Sequence, residues 1–381
     1  MRLLRIVLTT VAAAVAAIGM QIVALISLDA ASFGYFSIIY LVGAFALSVS
    51  LSAVSEAWVR SELAGTLSDW RSYASVTIYF SGIAALVASA VALLIPPLAP
   101  SWWLAALAVF GTVYRASARF HSMRSGQWGG VIAGDVVGML AVVGALILIL
   151  TYARGSLEAV MSAWALASMS SALCSRIAVP MPPTVIGTWV RRNRHAISPL
   201  LRDSLVMDTA AIGTPYVLAP ILGVANFGIY RAVSNVAAPV RLLLNPIRPK
   251  LSTLPLSKLV NRSTLIGLLG LSLAVGGIAS GALLLLNALD LDLGALNDLT
   301  PFALPTGLFV AGNMLGHSYY LIARQHATAE RIVRARLVQT LLAVVLPISG
   351  AIFAGLPGAI WAYTIATCSS AAFWAVSAHR S

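Results

Sequence analysis

An arginine and an asparagine within one apolar stretch are the first residues whose types and spacing suggest chemistry. Arg231 lies near the start of the stretch from 227 to 248, and Asn235 follows four residues later. In a helix this spacing places both side chains on one face, with Asn245 near the same stripe. A guanidinium there can hold an anionic group by bidentate, charge-assisted hydrogen bonds. We predict that this face lines a polar cavity; the alternative is an arginine that extends to nearby head groups.

A second polar stripe follows helical spacing further along the chain. Thr306, Asn313 and His317 fall at positions i, i+7 and i+11 of an apolar stretch. We expect this stripe to face the same cavity and to contribute to substrate binding. An imidazole can titrate near physiological pH, but a hydrogen-bonded packing histidine is the interpretation that we favour for His317.

Two carboxylates within apolar stretches are candidates for reversible binding of a proton or another cation. Asp208 lies about one turn into the stretch from 205 to 223, and a carboxylate held away from water binds a proton or cation more readily. A carboxylate paired with Arg202 or another nearby arginine is the interpretation that we slightly favour for Asp208. Asp135 adjoins glycines that recur every four residues, and we favour packing against arginine over substrate contact for it. The glycines are Gly126, Gly130, Gly134 and Gly138.

The composition says which elements must carry these residues. Of 381 residues, 60% are hydrophobic and 9% charged, whereas soluble domains are about 25% charged. The chain is therefore predicted to be an all-α polytopic membrane protein. Its net charge of +12 is dispersed among loops, which argues against a nucleic-acid partner. Cys174 and Cys368 fall in predicted spans, and we predict no disulfide framework, metal site or cofactor.

About twelve transmembrane helices are predicted from the apolar runs and their punctuation by proline, glycine and charge. If the amino terminus is cytoplasmic, all but two of the 24 Lys and Arg lie on the inner side. We therefore expect a multi-pass protein of the cell membrane with both termini in the cytoplasm. The predicted spans are 6–28, 34–57, 74–95, 101–115, 128–150, 157–176, 205–223, 227–248, 263–286, 301–322, 332–351 and 357–377.

The sequence contains an internal repeat at a shift of about half its length. The segment from Leu28 to Gly34 matches that from Leu222 to Gly228, including the Phe-Gly pair at the end. Two bundles of six helices, related by a pseudo-twofold axis along the membrane normal, are expected, with a cleft between them. We assign 1–176 and 205–381 to the bundles and 177–204 to a cytoplasmic linker, for which a positively charged loop is favoured over an interfacial segment.

The turn Ala31-Ser-Phe-Gly-Tyr-Phe, its counterpart Asn226-Phe-Gly-Ile-Tyr-Arg and the basic inner loops resemble the Wzx-type polysaccharide flippases. These belong to a superfamily that also contains multidrug and toxin extrusion transporters and the lipid II flippase. The resemblance implies a flippase that moves a polyprenyl-pyrophosphate-linked oligosaccharide to the outer leaflet by alternating access, for surface polysaccharide biosynthesis. Membrane lipids, a polysaccharide polymerase and glycosyltransferases of the same pathway are the implied partners.

Other function classes have less support. An ion-coupled drug or small-molecule exporter of the same superfamily is the main alternative. A membrane glycosyltransferase could use Asp290-Leu-Asp292, but the loop around it is short, so we expect no enzyme activity. The Gly-Lys-Ser/Thr of a phosphate-binding loop is absent, and so is the loop motif of major-facilitator transporters between Glu56 and Ser75.

Overall fold

A computed structural model describes residues 2–63, 70–176, 178–244, 256–326 and 328–379. Within these ranges the chain is helical and contains no strand, which confirms the all-α class. Two stretches of π-helix, Leu51–Glu56 and Thr209–Gly213, and two of 3₁₀-helix, Ala99–Ser101 and Gly294–Phe302, join or precede α-helices. The α-helices are α1 Arg2–Ser27, α2 Ala30–Ser50, α3 Ala57–Leu63, α4 Trp70–Leu94, α5 Trp102–Arg124, α6 Trp128–Tyr152, α7 Leu157–Leu173, α8 Thr184–Asp208, α9 Thr214–Leu222, α10 Val224–Val236, α11 Ala238–Leu244, α12 Leu256–Leu259, α13 Arg262–Ala288, α14 Ala303–His326 and α15 Ala329–His379.

Several helical segments are long and apolar enough to cross a bilayer. Six meet this description by length and composition among the described residues, which supports a multi-pass membrane protein. Each of the twelve predicted spans lies mostly on helix where the structure describes it, although the sixth ends on non-helical residues after Leu173 and the eighth is interrupted at Ala237. The six segments are Ala30–Arg60, Trp70–Leu94, Trp128–Tyr152, Thr184–Leu222, Arg262–Ala288 and Glu330–His379.

The sequence prediction and the structure differ in where the fourth span ends. The fourth span was expected to end at residue 115, but α5 continues to Arg124. Arg115 and Arg119 therefore lie within a helix and not in an inner loop. The helix can continue because Asp135 of α6 lies within 3.0 Å of both guanidinium groups and neutralises charge that would otherwise be costly to bury.

The segment predicted as a connecting loop forms most of α8 instead. This helix runs from Thr184 to Asp208 and continues through π-helix into α9. Its basic residues alternate with apolar ones at helical spacing, so Val185 and Trp189 are buried while Arg191 is exposed. Burial of this apolar face stabilises the helix, although the segment is rich in basic residues.

The described chain forms two compact units. The first comprises Met1–Ser27 and Tyr35–Asp208, and the second comprises Leu28–Gly34 and Thr209–Ser381. In the first unit, an aromatic core joins α8 to α3 and α4. Its buried members are Val54, Trp58, Tyr73, Val76, Val185 and Trp189.

In the second unit, α14 and α15 pack around Tyr319 and Trp374, both almost completely buried. The last two predicted spans are joined in α15, where Ala354 and Gly355 leave helical conformation. Gly355 has φ +59°, a conformation that glycine adopts without strain. The turn between the last two spans is thus one residue pair in the middle of an otherwise helical segment.

The two copies of the repeat contact each other within the second unit. A Cβ atom at Gly34 would overlap the carbonyl oxygen of Val224, and one at Gly228 would overlap that of Ala30. Ala30 and Val224 occupy the same place in the repeat, as do Gly34 and Gly228. The contact is therefore reciprocal, as expected where two related segments cross about a local twofold axis.

Candidate functional site

Arg231 is buried within the second unit. It lies two turns into α10, which begins after Gly223, and 9% of its surface is exposed. Tyr230, fully buried beside it, and Tyr216 of α9 are both close enough to interact electrostatically with the guanidinium. A charged group in this position is costly unless polar partners surround it, so the site is built to keep a cation inside an apolar unit.

The other predicted residue of this face is only partly buried. Asn235 lies at the end of α10, one turn after Arg231. Asn245, the third member of the predicted stripe, lies outside the described residues. The structure therefore places Arg231 deeper in the unit than Asn235.

An aromatic cluster connects α10 to α14 and α15 beside Arg231. The ring centroid of Tyr363 lies 5.1 Å from that of Tyr230 and 4.4 Å from that of Phe309. These separations are typical of favourable aromatic pairs. Phe309 is on α14, three residues after Thr306, so the cluster brings the two predicted polar stripes into one region of the second unit.

The three members of the α14 stripe differ in environment. Thr306 is fully buried, and its hydroxyl has no hydrogen-bond partner among the described residues. Asn313 and His317 are half-buried, and the imidazole lies 5.8 Å from the ring of Tyr320. Thr306 thus belongs to the helix packing, whereas Asn313 and His317 retain surface with which a ligand could make contact.

A stacked arginine on α15 is a feature that the sequence analysis missed. The guanidinium carbon of Arg336 lies 4.6 Å from the ring centre of Tyr320 and 5.8 Å from that of Trp374. Arg336 Nη1 donates a hydrogen bond of 3.2 Å to Gln339 Oε1, which also accepts one of 3.1 Å from Trp374 Nε1. The sequence signal was an arginine four residues inside the eleventh predicted span, 332–351, but Arg336 was counted only with the basic residues of the inner side.

Asp208 lies in the first unit, where α8 passes into π-helix. Its carboxylate is hydrogen-bonded to Ser48 of α2, and the Oδ2 atom is buried without a partner among the described residues. No described arginine forms an ion pair with it, so the expected pairing with Arg202 is not observed. One helical turn away on each helix, Ser52 and Ser204 are hydrogen-bonded to each other. Hydroxyls and a carboxylate are therefore collected next to two helices that both change to π-helix, which is frequent at functional sites.

Asp135 is held by arginine, as the packing interpretation predicted. Its oxygens accept hydrogen bonds from Arg115 Nη2 at 2.9 Å and from Arg119 Nε at 3.0 Å. Arg115 also donates to Ser175 and lies against Gly134, where a Cβ would meet the guanidinium. Gly134 therefore admits the arginine, whereas Gly130 and Gly138 let α6 pack closely against residues of α7 and its C-terminal end. Gly126, the first of the four, is in the preceding turn with φ +73° and not in α6.

A metal centre has no support in the part of the chain that is described. No group of three or more His, Cys, Asp or Glu is close enough there to hold an ion. The arrangement is instead one of isolated charges inside helices, accompanied by aromatic rings and hydroxyls. Such groups can bind a charged or polar solute without changing it chemically.

Comparison with solved structures identifies the fold. An inward-facing multidrug resistance transporter of the MATE family, in the MOP superfamily, aligns with 96% of this chain and 94% of its own, at 11% identity and a TM-score of 0.65. The lipid II flippase MurJ in an inward closed conformation aligns with 97% of this chain and 86% of its own, at 13% identity and a TM-score of 0.66. This chain has the MATE and MurJ transporter fold. The fold implied by the resemblance of the two Phe-Gly turns and the basic inner loops is thereby confirmed.

A further crystal structure, that of a MATE transporter in the straight conformation, aligns with 98% of this chain and 95% of its own, at 14% identity and a TM-score of 0.51. No protein family and no curated protein sequence matches the chain. The similar structures are transporters and a flippase, not enzymes. Because the identities are low, the likeness extends to the path of the helices and not to the cargo.

Proposed function

We propose that this protein is a flippase, not an enzyme, that moves a polyprenyl-pyrophosphate-linked oligosaccharide from the inner to the outer leaflet of the cell membrane by alternating access. The observation that supports this cargo is Arg231, a guanidinium buried among tyrosines in the second unit. Planar guanidinium groups match pyrophosphate better than the ammonium of lysine does. Similarity to a lipid II flippase is consistent with this class of cargo.

This cargo implies partner proteins that act before and after the transport step. Membrane glycosyltransferases would supply the lipid-linked oligosaccharide, and a polysaccharide polymerase would consume it after transport. Both chain termini would lie in the cytoplasm, on the side that carries the basic residues. Energy would come from an ion gradient, for which Asp208 is the stronger candidate because Asp135 is already held by two arginines.

The test is transport by the purified protein in proteoliposomes that contain a fluorescent lipid-linked oligosaccharide. Arrival in the outer leaflet is measured by a quencher that does not cross the bilayer. We expect Arg231→Gln to slow arrival about tenfold or more, because charge-assisted hydrogen bonds to the pyrophosphate are lost, and Arg231→Lys to retain part of the rate. Arg334→Gln is the matched control, since Arg334 is exposed and paired with Glu330. Unchanged transport by Arg231→Gln would overturn the proposed role of the guanidinium.

A drug or small-molecule exporter is the second candidate, and the aromatic cluster favours it. Tyr363 is only half-buried where it packs on Tyr230 and Phe309, and its ring could attract an organic cation. If this is the function, the proteoliposomes export a fluorescent organic cation and leave every lipid-linked oligosaccharide in place. Phe309→Ala should then reduce export of the cation, whereas oligosaccharide transport that survives Phe309→Ala favours the flippase.

A further inference from the structure

Arg336 is a helical arginine whose guanidinium is stacked on two aromatic rings. It lies seven residues into α15, about 10 Å along the helix from its start. Its side chain is half-buried against Tyr320 and Trp374, and Trp374 is itself 1% exposed. Packing in the core therefore fixes the positions of the two rings, and stacking on these rings fixes the position of the Arg336 guanidinium.

No carboxylate neutralises this arginine within the described residues. Arg115 and Arg119 share Asp135, and Arg334 pairs with Glu330 at 2.5 Å. Arg336 instead has aromatic faces and one amide oxygen as partners. Only an anion can balance this charge, and an oxyanion can also accept hydrogen bonds from several guanidinium N–H groups at once.

The geometry leaves the hydrogen-bonding edge of Arg336 available. A guanidinium has five N–H groups in its plane, and stacking on rings uses its faces. One of these donors is directed to Gln339, whose side-chain oxygen also accepts from Trp374. That network leaves the amide N–H groups of Gln339 beside the same edge, where they can donate as well.

We propose that Arg336, held on Tyr320 and Trp374 and oriented by Gln339, binds a phosphate or pyrophosphate oxyanion. The site is distinct from Arg231 and is carried by α14 and α15. A lipid-linked substrate keeps its pyrophosphate at head-group depth before it moves, and Arg336 lies near the basic end of its helix. The identification of the anion as that of the cargo rests on the proposed function; binding of the oxyanion itself does not.

Binding is tested by thermal unfolding of the purified full-length protein in an uncharged detergent during titration with farnesyl pyrophosphate. Farnesol at the same concentrations measures the effect of the apolar chain, and sodium chloride at matched ionic strength measures the effect of salt. We expect farnesyl pyrophosphate to raise the unfolding midpoint at concentrations where farnesol and sodium chloride do not. Arg336→Gln should weaken the apparent affinity about tenfold or more, whereas Arg334→Gln should leave it unchanged.

A second substitution tests the site without removing the stacked cation. Gln339→Glu keeps the acceptor for Arg336 and for Trp374 Nε1 but supplies the missing carboxylate. We expect this variant to fold and to lose the response to farnesyl pyrophosphate, because an internal anion now occupies the guanidinium. An undiminished response in both Arg336→Gln and Gln339→Glu would overturn the proposal.

The source of the anion is distinguished by competition. If phosphatidylglycerol displaces farnesyl pyrophosphate and stabilises the protein equally, the site binds a phospholipid head group; if only the pyrophosphate acts, it binds the cargo. Pyrophosphate binding by a protein that transports no lipid-linked oligosaccharide would refute the flippase and retain the site. Oligosaccharide transport that is unaffected by Arg336→Gln, together with no binding response, would refute the site and retain the flippase.

Discussion

Asp135 shows how this chain places charge inside a helical unit. One carboxylate accepts hydrogen bonds from two arginines, Arg115 and Arg119, on the neighbouring helix. Arg115 also donates to the backbone oxygen of Val131 and to Ser175. The result is a buried polar group in which each member depends on the others.

Removal of this carboxylate should therefore be costly. We expect Asp135→Asn to lower the free energy of unfolding by about 3–5 kcal/mol, because two guanidinium groups would remain without their counter-charge. Unfolding in detergent, followed by near-UV circular dichroism, measures the loss. Glu158→Gln, at an exposed helix start, is the control and should change little. Equal stability of the two variants would mean that the arginines find other partners.

Asp208 has a surrounding that suits reversible binding of a small cation. Its carboxylate has a serine partner and no arginine within ion-pair distance among the described side chains. We expect Asp208→Asn to transport lipid-linked oligosaccharide at a rate that no longer responds to an imposed proton or sodium gradient. Rates in proteoliposomes with and without each gradient provide the measurement. Gradient-driven transport that persists in Asp208→Asn would assign coupling elsewhere.

Asp298, in the 3₁₀ segment before α14, makes the stability of the second unit depend on pH. Partial burial raises the pKa of its carboxyl above the ordinary value of 3.8, and the nearby Asp29 raises it further. A raised pKa means that the carboxyl group of Asp298 binds a proton more tightly in the folded protein than in the unfolded protein. The stabilisation from Asp298 is therefore complete below pH 3.8 and is lost as the pH rises through the folded pKa.

From this sign we expect Asp298→Asn to raise the unfolding midpoint at pH 7 and to have less effect as the pH approaches 4. Midpoints of the two proteins across that range check the prediction. Asp292→Asn, in the same loop, controls for a general loss of negative charge. A difference that does not vary with pH would exclude titration of Asp298 as its cause.

At the scale of elements, the crossing of α2 and α10 depends on two glycines. Any side chain at Gly34 or Gly228 would meet a backbone oxygen, and a backbone oxygen cannot turn aside as a flexible side chain can. We expect Gly34→Ala and Gly228→Ala each to destabilise the protein by about 1–3 kcal/mol. Gly82→Ala, inside α4 with open space at its Cβ, should be neutral or stabilising. Unfolding midpoints in detergent compare the three, and a loss in Gly82→Ala as large as in the others would contradict the packing explanation.

The presence of most helices could be predicted from the sequence, but the residues at which some of them begin or end could not. Apolar runs long enough for a bilayer identify the helices because few other structures bury so many such residues. The extension of α5 depends on Asp135, which is 20 residues away from Arg115 and is brought near it only by folding. The start of α8 depends on a buried face whose partners, Trp58 and Tyr73, come from the first hundred residues.

The candidate site divides in the same way. Arg231 could be found because a lone arginine in an apolar stretch is conspicuous in any sequence. The stacking of Arg336 could not be predicted in this way, because its partners Tyr320 and Trp374 are distant in the sequence and lie on two different helices. Burial of Thr306 was also unpredictable, since a stripe of polar residues does not say which member packs against a neighbouring helix.

At the scale of the whole molecule, the distribution of basic residues predicts which loops face the cytoplasm. In a variant with Cys174→Ala and Cys368→Ala, we expect Ser125→Cys to react with an impermeant thiol reagent only after permeabilisation of the cells. Asp292→Cys should react in intact cells, because its loop is expected on the outside. Both positions are exposed in the structure, so accessibility within the protein does not limit the reaction. The opposite labelling pattern would invert the predicted orientation.

The reciprocal glycine crossing also bears on the ancestry of the chain. After a gene duplication, each half can diverge freely wherever its residues touch only their own surroundings. At the crossing, however, Gly34 and Gly228 share one contact, so a bulkier replacement in either half harms both. A shared constraint of this kind would keep the residues around Phe33-Gly34 and Phe227-Gly228 alike after such a duplication, while the rest of the two halves diverged.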